Sequence, residues 1–584
     1  MRQFPLEMLE VTPGRVIEWR LRSAERPATR SGGDRQVPPA RVEAGAGVPA
    51  ARDRRASYNQ DKHFTVAEES QGAADPVASW LAVTFEVNEP LDRGMMERAL
   101  LSFVDRHEVL RCAFQRLAGE VSCAPVASDS LSLDCVEIGA FASTEAVRTF
   151  LVARFKDTID TLSWPLFTMG AIERPDSATV YLALDHIVCD GLSMPIIVDE
   201  VMTTYEAYRR GRQPVLPPAA GYLDFAEEQR RRHLSIGMDD ERLGYWREFT
   251  ERGGGEFFPR FPLDLGVAPG RMYPIVNDAS RLLDPAEADA LEEACAAVGG
   301  KAFMGVLAAV AIGLREAGGP SVYRGFMPVS ERGLGPWRHS VGWFVNTLPI
   351  EFDVSPELDF AGVMDSARRG FKEMIGQVEL PFVRAWELLA PREYALKAWP
   401  YPVNFFSYID TRKCPGALHH DEWRPTTHVW SARANGACSW FQRDNEGLHM
   451  NTIHVDTPQA RRTMAALNEA LRETVRTIGR TGGLGSRVPA VSGAREGRLP
   501  VRVVGARAGG DAVSAAAAAT SSGPVPVPGP AAGSQGRPAL PARVPGPGRA
   551  GLAGPRRPVD GVVPAAGPKP APPGRGGAGV DLSR

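Results

Sequence analysis

One histidine, one aspartate and one glycine stand close enough along the chain to act together. They are His186, Asp190 and Gly191, within Tyr181-Leu-Ala-Leu-Asp-His-Ile-Val-Cys-Asp-Gly-Leu-Ser193. An imidazole titrates near neutrality, so it can take a proton from an attacking hydroxyl or amine and return it to a leaving group. Asp190 suits an ion pair that holds the turn rather than a contact with substrate. Gly191 permits a bend where a side chain would obstruct it. A histidine after a strand is equally at home as a satisfied core residue, and the residue types alone leave both readings open.

The flanking pattern says how these residues are positioned. Thr179 to Leu184 is an apolar, β-prone run that predicts a buried strand, with His186 where it stops. Ser193 is a suitable N-cap and Pro195 fits a first helical turn. Ile197, Val201, Tyr205 and Tyr208 then recur at helical spacing, and Gly211 ends the run. Strand, polar turn and helix place the imidazole at the lip of a sheet, with rigid support below.

Upstream, Gly14 to Leu21 and Ser79 to Val87 predict strands. Asp92 is a candidate cap for a helix running through Met96, Leu100, Phe103 and Val104 towards Arg106-His-Glu-Val-Leu-Arg111, and Cys112 to Phe114 opens the next strand. His107-Glu108 is no zinc-protease motif, because Arg111 stands where H-E-x-x-H needs its second histidine. Arg106 and Arg111 are either solvated helix-end charges or the ionic partner of Asp190. Pro217-Pro218 and Gly253-Gly-Gly255 are breakers, and a lobe boundary is expected between Leu216 and Leu265. Asp284 to Val298, Ala302 to Arg315 and Phe360 to Ile375 read as helices, and Ser321 to Pro328 as a strand. This order loosely repeats the first half and suggests an internal duplication. Asn346, in Ser340-Val-Gly-Trp-Phe-Val-Asn-Thr-Leu348, offers both a donor and an acceptor. His419, His420 and His428 match no standard metal spacing and read as an exposed loop.

The 584 residues carry a formal net charge of -3 and are 43% apolar. Such a chain can bury a large core as two lobes, and its charge gives no electrostatic case for nucleic acid. Seven cysteines without a C-x-x-C pair suggest reduced thiols and a cytoplasmic location. The longest apolar run, Ala302 to Leu314, is too short for a bilayer, so no membrane partner is expected. The expected organisation is an N-terminal strand segment at 1–22, a flexible Arg/Pro/Ala loop at 23–56, lobes at 57–235 and 236–481, and a low-complexity disordered tail at 482–584.

His186 to Gly191 fits H-x-x-x-D-G and so resembles the chloramphenicol-acetyltransferase-like acyltransferases. Arg106-His-Glu-Val-Leu-Arg111 with Phe114 is similar to a block of nonribosomal peptide synthetase condensation domains. So are Tyr222-Leu-Asp-Phe-Ala226 with Gln229, Val341 to Leu348, Glu379-Leu-Pro-Phe382 and Pro402-Val-Asn-Phe-Phe406, all in family order between about Ser57 and Thr457. The resemblance implies an α/β fold of two acetyltransferase-like lobes, a pseudo-dimer with an inter-lobe tunnel. It makes His186 the catalytic histidine and Asp190 a structural aspartate with an arginine partner, Arg106 before Arg111. Gly191 then shapes the turn, and Gly342 and Asn346 lie by the substrate channel. Asp185 stands where condensation domains carry the first of two adjacent histidines. It either replaces that residue as structural support or raises the imidazole pKa as an adjacent carboxylate.

The same resemblance implies acyl transfer without a metal or a bound cofactor, the acyl group arriving on phosphopantetheine or coenzyme A. No G-x-S-x-G elbow or lysine-bearing phosphate loop accompanies the motif. The leading expectation is a free-standing condensation enzyme of secondary metabolism. It would take an acyl group from a carrier protein in trans and pass it to an amine or alcohol. Two alternatives are a noncatalytic module of the same fold that recruits a carrier protein or oxygenase, and a lipid-ester acyltransferase using acyl-coenzyme A.

Overall fold

The computed structural model describes residues 1–24, 54–71, 79–395, 403–431 and 433–481, which all fall in one compact unit. The tail expected at 482–584 lies outside the described residues, as does the loop expected at 23–56 except for its two ends.

Two sheets form the frame. The first has seven strands in the spatial order Arg2–Gln3, Thr426–Ser431, Ser79–Val87, Ala178–Asp185, Phe167–Glu173, Arg15–Ser23 and Leu131–Ala140. The second has six, in the order Ile275–Leu283, Gly447–Val455, Ala437–Asp444, Asn404–Asp410, Val322–Ser330 and Val345–Asp353. A three-stranded sheet of Arg54–Arg55, Glu120–Pro125 and Cys112–Leu117 completes the first lobe.

Every residue of Ala178–Asp185 is buried. The strand is flanked on both sides by antiparallel partners, Ser79–Val87 and Phe167–Glu173. Both of its faces are covered, so the sequence is continuously apolar rather than alternating. Strand periodicity then divides it between two cores. Val180, Leu182 and Leu184 pack with Ile197, Val201 and Tyr205 of helix Ser193–Arg209. Tyr181 and Ala183 pack with Leu151 and Phe155 of helix Thr144–Thr158. The second lobe buries helix Ala302–Glu316 under helix Pro458–Thr481 and its own sheet.

Three expectations about organisation change. The N-terminal strand is no separate segment, because Arg15–Ser23 pairs inside the first sheet with Leu131–Ala140 and Phe167–Glu173. Thr426–Ser431 falls beyond the 235/236 boundary but pairs antiparallel with Ser79–Val87 of the first lobe. It covers what would be an open sheet edge, and Trp430 stacks on Trp80 at 5.8 Å. His428 is therefore no exposed-loop residue. It is fully buried, lies 3.1 Å from Thr84 Oγ1, and has its pKa lowered by burial to about 4. His419 and His420 lie on short helical turns.

Candidate active site

The strand Ala178–Asp185 ends in one 3-10 turn, His186–Val188, before helix Ser193–Arg209. Asp185 caps that turn: its Oδ1 accepts from the Ile187 N–H at 2.8 Å. Oδ2 accepts from Thr161 Oγ1 at 2.7 Å, and His63 Nε2 lies 3.2 Å from Oδ1. Three donors therefore surround a fully buried carboxylate, as burial of a charge requires. Of the two readings of Asp185, structural support is the one the geometry fits. Its charge does act to raise the pKa of His186, but burial lowers it by more, followed by the influence of His63. The ring is therefore held neutral around pH 7, the state a general base needs.

The His186 ring is partly buried and lies 4.1 Å from the ring of Trp343, a residue of the second lobe. Among the described residues its Nδ1 is buried without a hydrogen-bond partner, and no hydrogen bond engages its Nε2. An unbonded Nε2 can serve as the base when the proton of the neutral ring sits on Nδ1.

Asp190 is 1% exposed and accepts two parallel bonds from Arg332, Nη1 to Oδ2 at 2.7 Å and Nη2 to Oδ1 at 3.0 Å. It also accepts from the Ser193 N–H at 2.9 Å and the Phe344 N–H at 2.9 Å. Ser193 is thus the first helical residue rather than the cap, and Asp190 holds it. Arg332 donates further to the Ser340 carbonyl, with Nε at 3.2 Å, and its guanidinium lies over Phe344. The aspartate is in the first lobe and the arginine in the second, so the pair clasps the lobes together directly behind the histidine.

Arg106 and Arg111 are not that partner. Arg106 Nε lies 3.2 Å from Glu200, and Arg111 Nη1 donates to the Val126 carbonyl at 2.7 Å. His107 Nε2 is 3.0 Å from the same Glu200, and Glu108 accepts from the Leu223 N–H at 3.0 Å. The block that reads as a charged helix end is a set of clamps onto helices Ser193–Arg209 and Tyr222–His233. Glu200 sits seven residues into its helix, out of reach of the spacing argument. Arg332 lies 142 residues beyond Asp190, in the other lobe, where local spacing gives no sign of the pairing. The available signal was a polar turn, Ser330-Glu-Arg-Gly333, after a strand in each half. His63 was missed because it lies on helix Tyr58–Glu69, which carries no recognisable motif.

Asn346, expected by the channel, is buried and its amide is engaged by backbone. Its Nδ2 donates to the Val378 and Leu380 carbonyls at 2.9 and 2.7 Å, and its Oδ1 accepts from the Phe382 N–H at 2.9 Å. The amide pins the Glu379-Leu-Pro-Phe382 turn and keeps no donor for a substrate. Gly342 belongs to the clasp: its carbonyl accepts from Ser193 Oγ at 3.1 Å. Gly191 adopts no positive φ, and a Cβ there would meet only Ile409 Cδ1, at 3.7 Å. Its backbone therefore makes no demand for glycine. Among the described residues no group of three or more His, Cys, Asp or Glu side chains is placed to hold a metal.

The family model named Condensation domain matches residues 70–393. The chain belongs to the condensation-domain family. It is 27% identical over 334 residues to the 2'-acyl-2-O-sulfo-trehalose (hydroxy)phthioceranyltransferase PapA1 of Mycobacterium tuberculosis, a match covering 57% of this chain and 64% of PapA1. It is 24% identical over 468 residues to the trehalose-2-sulfate acyltransferase PapA2 of Mycobacterium bovis, covering 79% of this chain and 93% of PapA2. A solved structure of a PapA2 acyl transferase superposes with a TM-score of 0.69 at 22% identity, over 83% of this chain and 100% of the other.

Proposed function

We propose that this protein is an acyltransferase that forms an ester, moving an acyl group from a thioester to a hydroxyl. The observation that carries this reading is His186: an uncharged imidazole at the lobe junction, its Nε2 free and its turn locked by the Asp185 cap and the Asp190–Arg332 clasp. Nε2 takes the proton from the acceptor hydroxyl as that oxygen attacks the thioester carbonyl. The tetrahedral intermediate collapses, the C–S bond breaks, and the leaving thiolate receives the proton back from the imidazolium. No bond to the protein forms. Donor and acceptor would reach Nε2 from opposite ends of the inter-lobe passage that the family resemblance implies.

The hydroxyl acceptor and ester product are favoured over an amine and amide by the relatives, whose names specify acyl transfer to trehalose derivatives. This moves the lipid-ester alternative ahead of peptide-type condensation. Coenzyme A and carrier-bound phosphopantetheine present the same thioester. Neither acts as a resident cofactor, and a carrier protein is a partner only in the second case.

The test is incubation with palmitoyl-coenzyme A, or with palmitoyl-loaded carrier protein, and trehalose-2-sulfate or an amine panel, read by mass spectrometry. Ester product is expected, and His186→Ala should reduce it by about a thousandfold with the melting temperature unchanged. Amide as the sole product would overturn the hydroxyl assignment. Turnover that survives in His186→Ala would overturn the mechanism.

A further inference from the structure

The family pattern places two histidines side by side, whereas this chain has Asp185-His186 in sequence and a second imidazole, His63, in space. His63 lies on helix Tyr58–Glu69, whose start is fixed by a capping box of Ser57 and Gln60. Gln60 also donates from Nε2 to the Ile187 carbonyl at 2.9 Å, so the helix is bonded directly to the turn that carries His186. His63 follows three residues later on the same helical face. Its Nε2 is 3.2 Å from Asp185 Oδ1 and 3.3 Å from Thr161 Oγ1. The Thr161 hydroxyl proton goes to Asp185 Oδ2, so Nε2 is the donor to both oxygens. The rings of His63 and His186 are 6.5 Å apart, and both pack against Trp343, at 5.6 and 4.1 Å.

We propose that His63 is a positioning residue for the reaction at His186: paired with Asp185, it holds the turn in register and, facing the base beside Trp343, sets its affinity for a proton. The proposal rests on the acyl-transfer reading for its effect on rate, but not for its effect on the imidazole. The side chain is 13% exposed, so a charge on it is only weakly screened. After burial itself, His63 is the strongest influence lowering the pKa of His186, while Asp190 and Asp185 act in the opposite direction. The other charges near His63 on its own helix are engaged elsewhere. Lys62 points onto Trp386 and Tyr394, and Asp61 pairs with Arg230. Arg332 is neutralised by Asp190.

The experiment compares the full chain with His63→Gln and Thr161→Val. Thr161→Val loosens Asp185 while leaving every titratable side chain in place, so it shows what loss of a neutral hydrogen bond does by itself. NMR titration of labelled histidine, with His186→Ala assigning the resonance, should place His186 about one pH unit higher in His63→Gln and unmoved in Thr161→Val. The acid limb of the pH–rate profile should move upward by the same amount in His63→Gln alone. The value of kcat/KM at neutral pH should fall by up to about threefold, as the neutral fraction of His186 falls. An unmoved His186 resonance in His63→Gln overturns the proposal, as does an equal movement in Thr161→Val. A moved resonance with no acyl transfer by the unmodified protein overturns the acyl-transfer reading instead and leaves the coupling of the two rings in place.

Discussion

Two turns, one in each lobe, are built alike and do different work. In the first lobe the strand Ala178–Asp185 runs into the 3-10 turn His186–Val188, and Asp185 caps it through the Ile187 N–H. In the second lobe the strand Val322–Ser330 runs into the 3-10 turn Glu331–Leu334, and Ser330 caps it through the Arg332 N–H at 3.3 Å. The first turn presents a partly buried, uncharged imidazole with a free nitrogen. The second presents a guanidinium that faces inward and makes every contact with protein. One turn holds the imidazole to which the proposed chemistry is assigned, and the other supplies the counter-charge to the aspartate that follows it. Neither is complete alone, which is a physical reason for both to reside in one chain.

The largest effect that would break this comparison is loss of the clasp. Removing one member of a buried ion pair leaves an uncompensated charge, a cost of about 3–5 kcal/mol. Arg332→Ala should lower the unfolding free energy by that much in urea titration. Asp190→Asn combined with Arg332→Met should cost clearly less than the two single changes added together. Additive costs would mean that the two side chains do not depend on each other, and the lobes would then be held by packing alone.

The buried carboxylates beside the two turns sharpen the contrast. Asp185 has three donors around it, whereas among the described residues Glu331 has one side-chain hydrogen bond to its carboxylate, from Gln229 Nε2 at 3.5 Å. Burial pushes the Glu331 carboxyl up from 4.5 to about 8. The folded protein therefore keeps a proton that the unfolded chain releases near pH 4.5. Stability should fall as the pH rises from about 4.5 to about 8, by about 5 kcal/mol in all, and change no further from this group above that window. Glu331→Gln removes the titration and should flatten that slope in denaturation measured across the window. An unchanged slope would show that Glu331 is not the group responsible.

What the sequence made legible follows the same division. The apolar run Thr179–Leu184, the helical spacing of Ile197, Val201 and Tyr205, and the Asp92 and Asp284 caps were readable because local periodicity and capping depend on near neighbours. The H-x-x-x-D-G spacing likewise located the turn between strand and helix, since its six residues must sit together. The partners of those residues were not readable. Arg332 is 142 residues from Asp190, and His63 is 122 from Asp185. The strand Thr426–Ser431 joins a sheet whose other strands are far earlier in the chain. Such pairings are decided by how the lobes dock, and composition carries no trace of them. Asn346 marks the same limit from the other side, because its amide suited a substrate contact on paper and in space is saturated by backbone.

The two glycines of the turn regions give the smallest and most discriminating test. At Gly342, φ is +155° and a Cβ would sit 2.2 Å from Tyr222 Cδ2, a ring whose hydroxyl is already held by Ser57 and the Trp343 carbonyl. Gly342→Ala must therefore displace a pinned aromatic ring and should cost about 2 kcal/mol. At Gly191 the backbone is open to any residue, and a Cβ would meet Ile409 Cδ1 at ordinary contact distance. Gly191→Ala should leave the unfolding free energy within about 0.5 kcal/mol of the unmodified protein. The glycine in the motif would then be dispensable for the fold, whereas the one outside it is not. If Gly191→Ala instead destabilises as much as Gly342→Ala, the first turn depends on its glycine for shape. The rigidity assigned here to the Asp185 cap and the Arg332 clasp would then belong to the backbone of the motif itself.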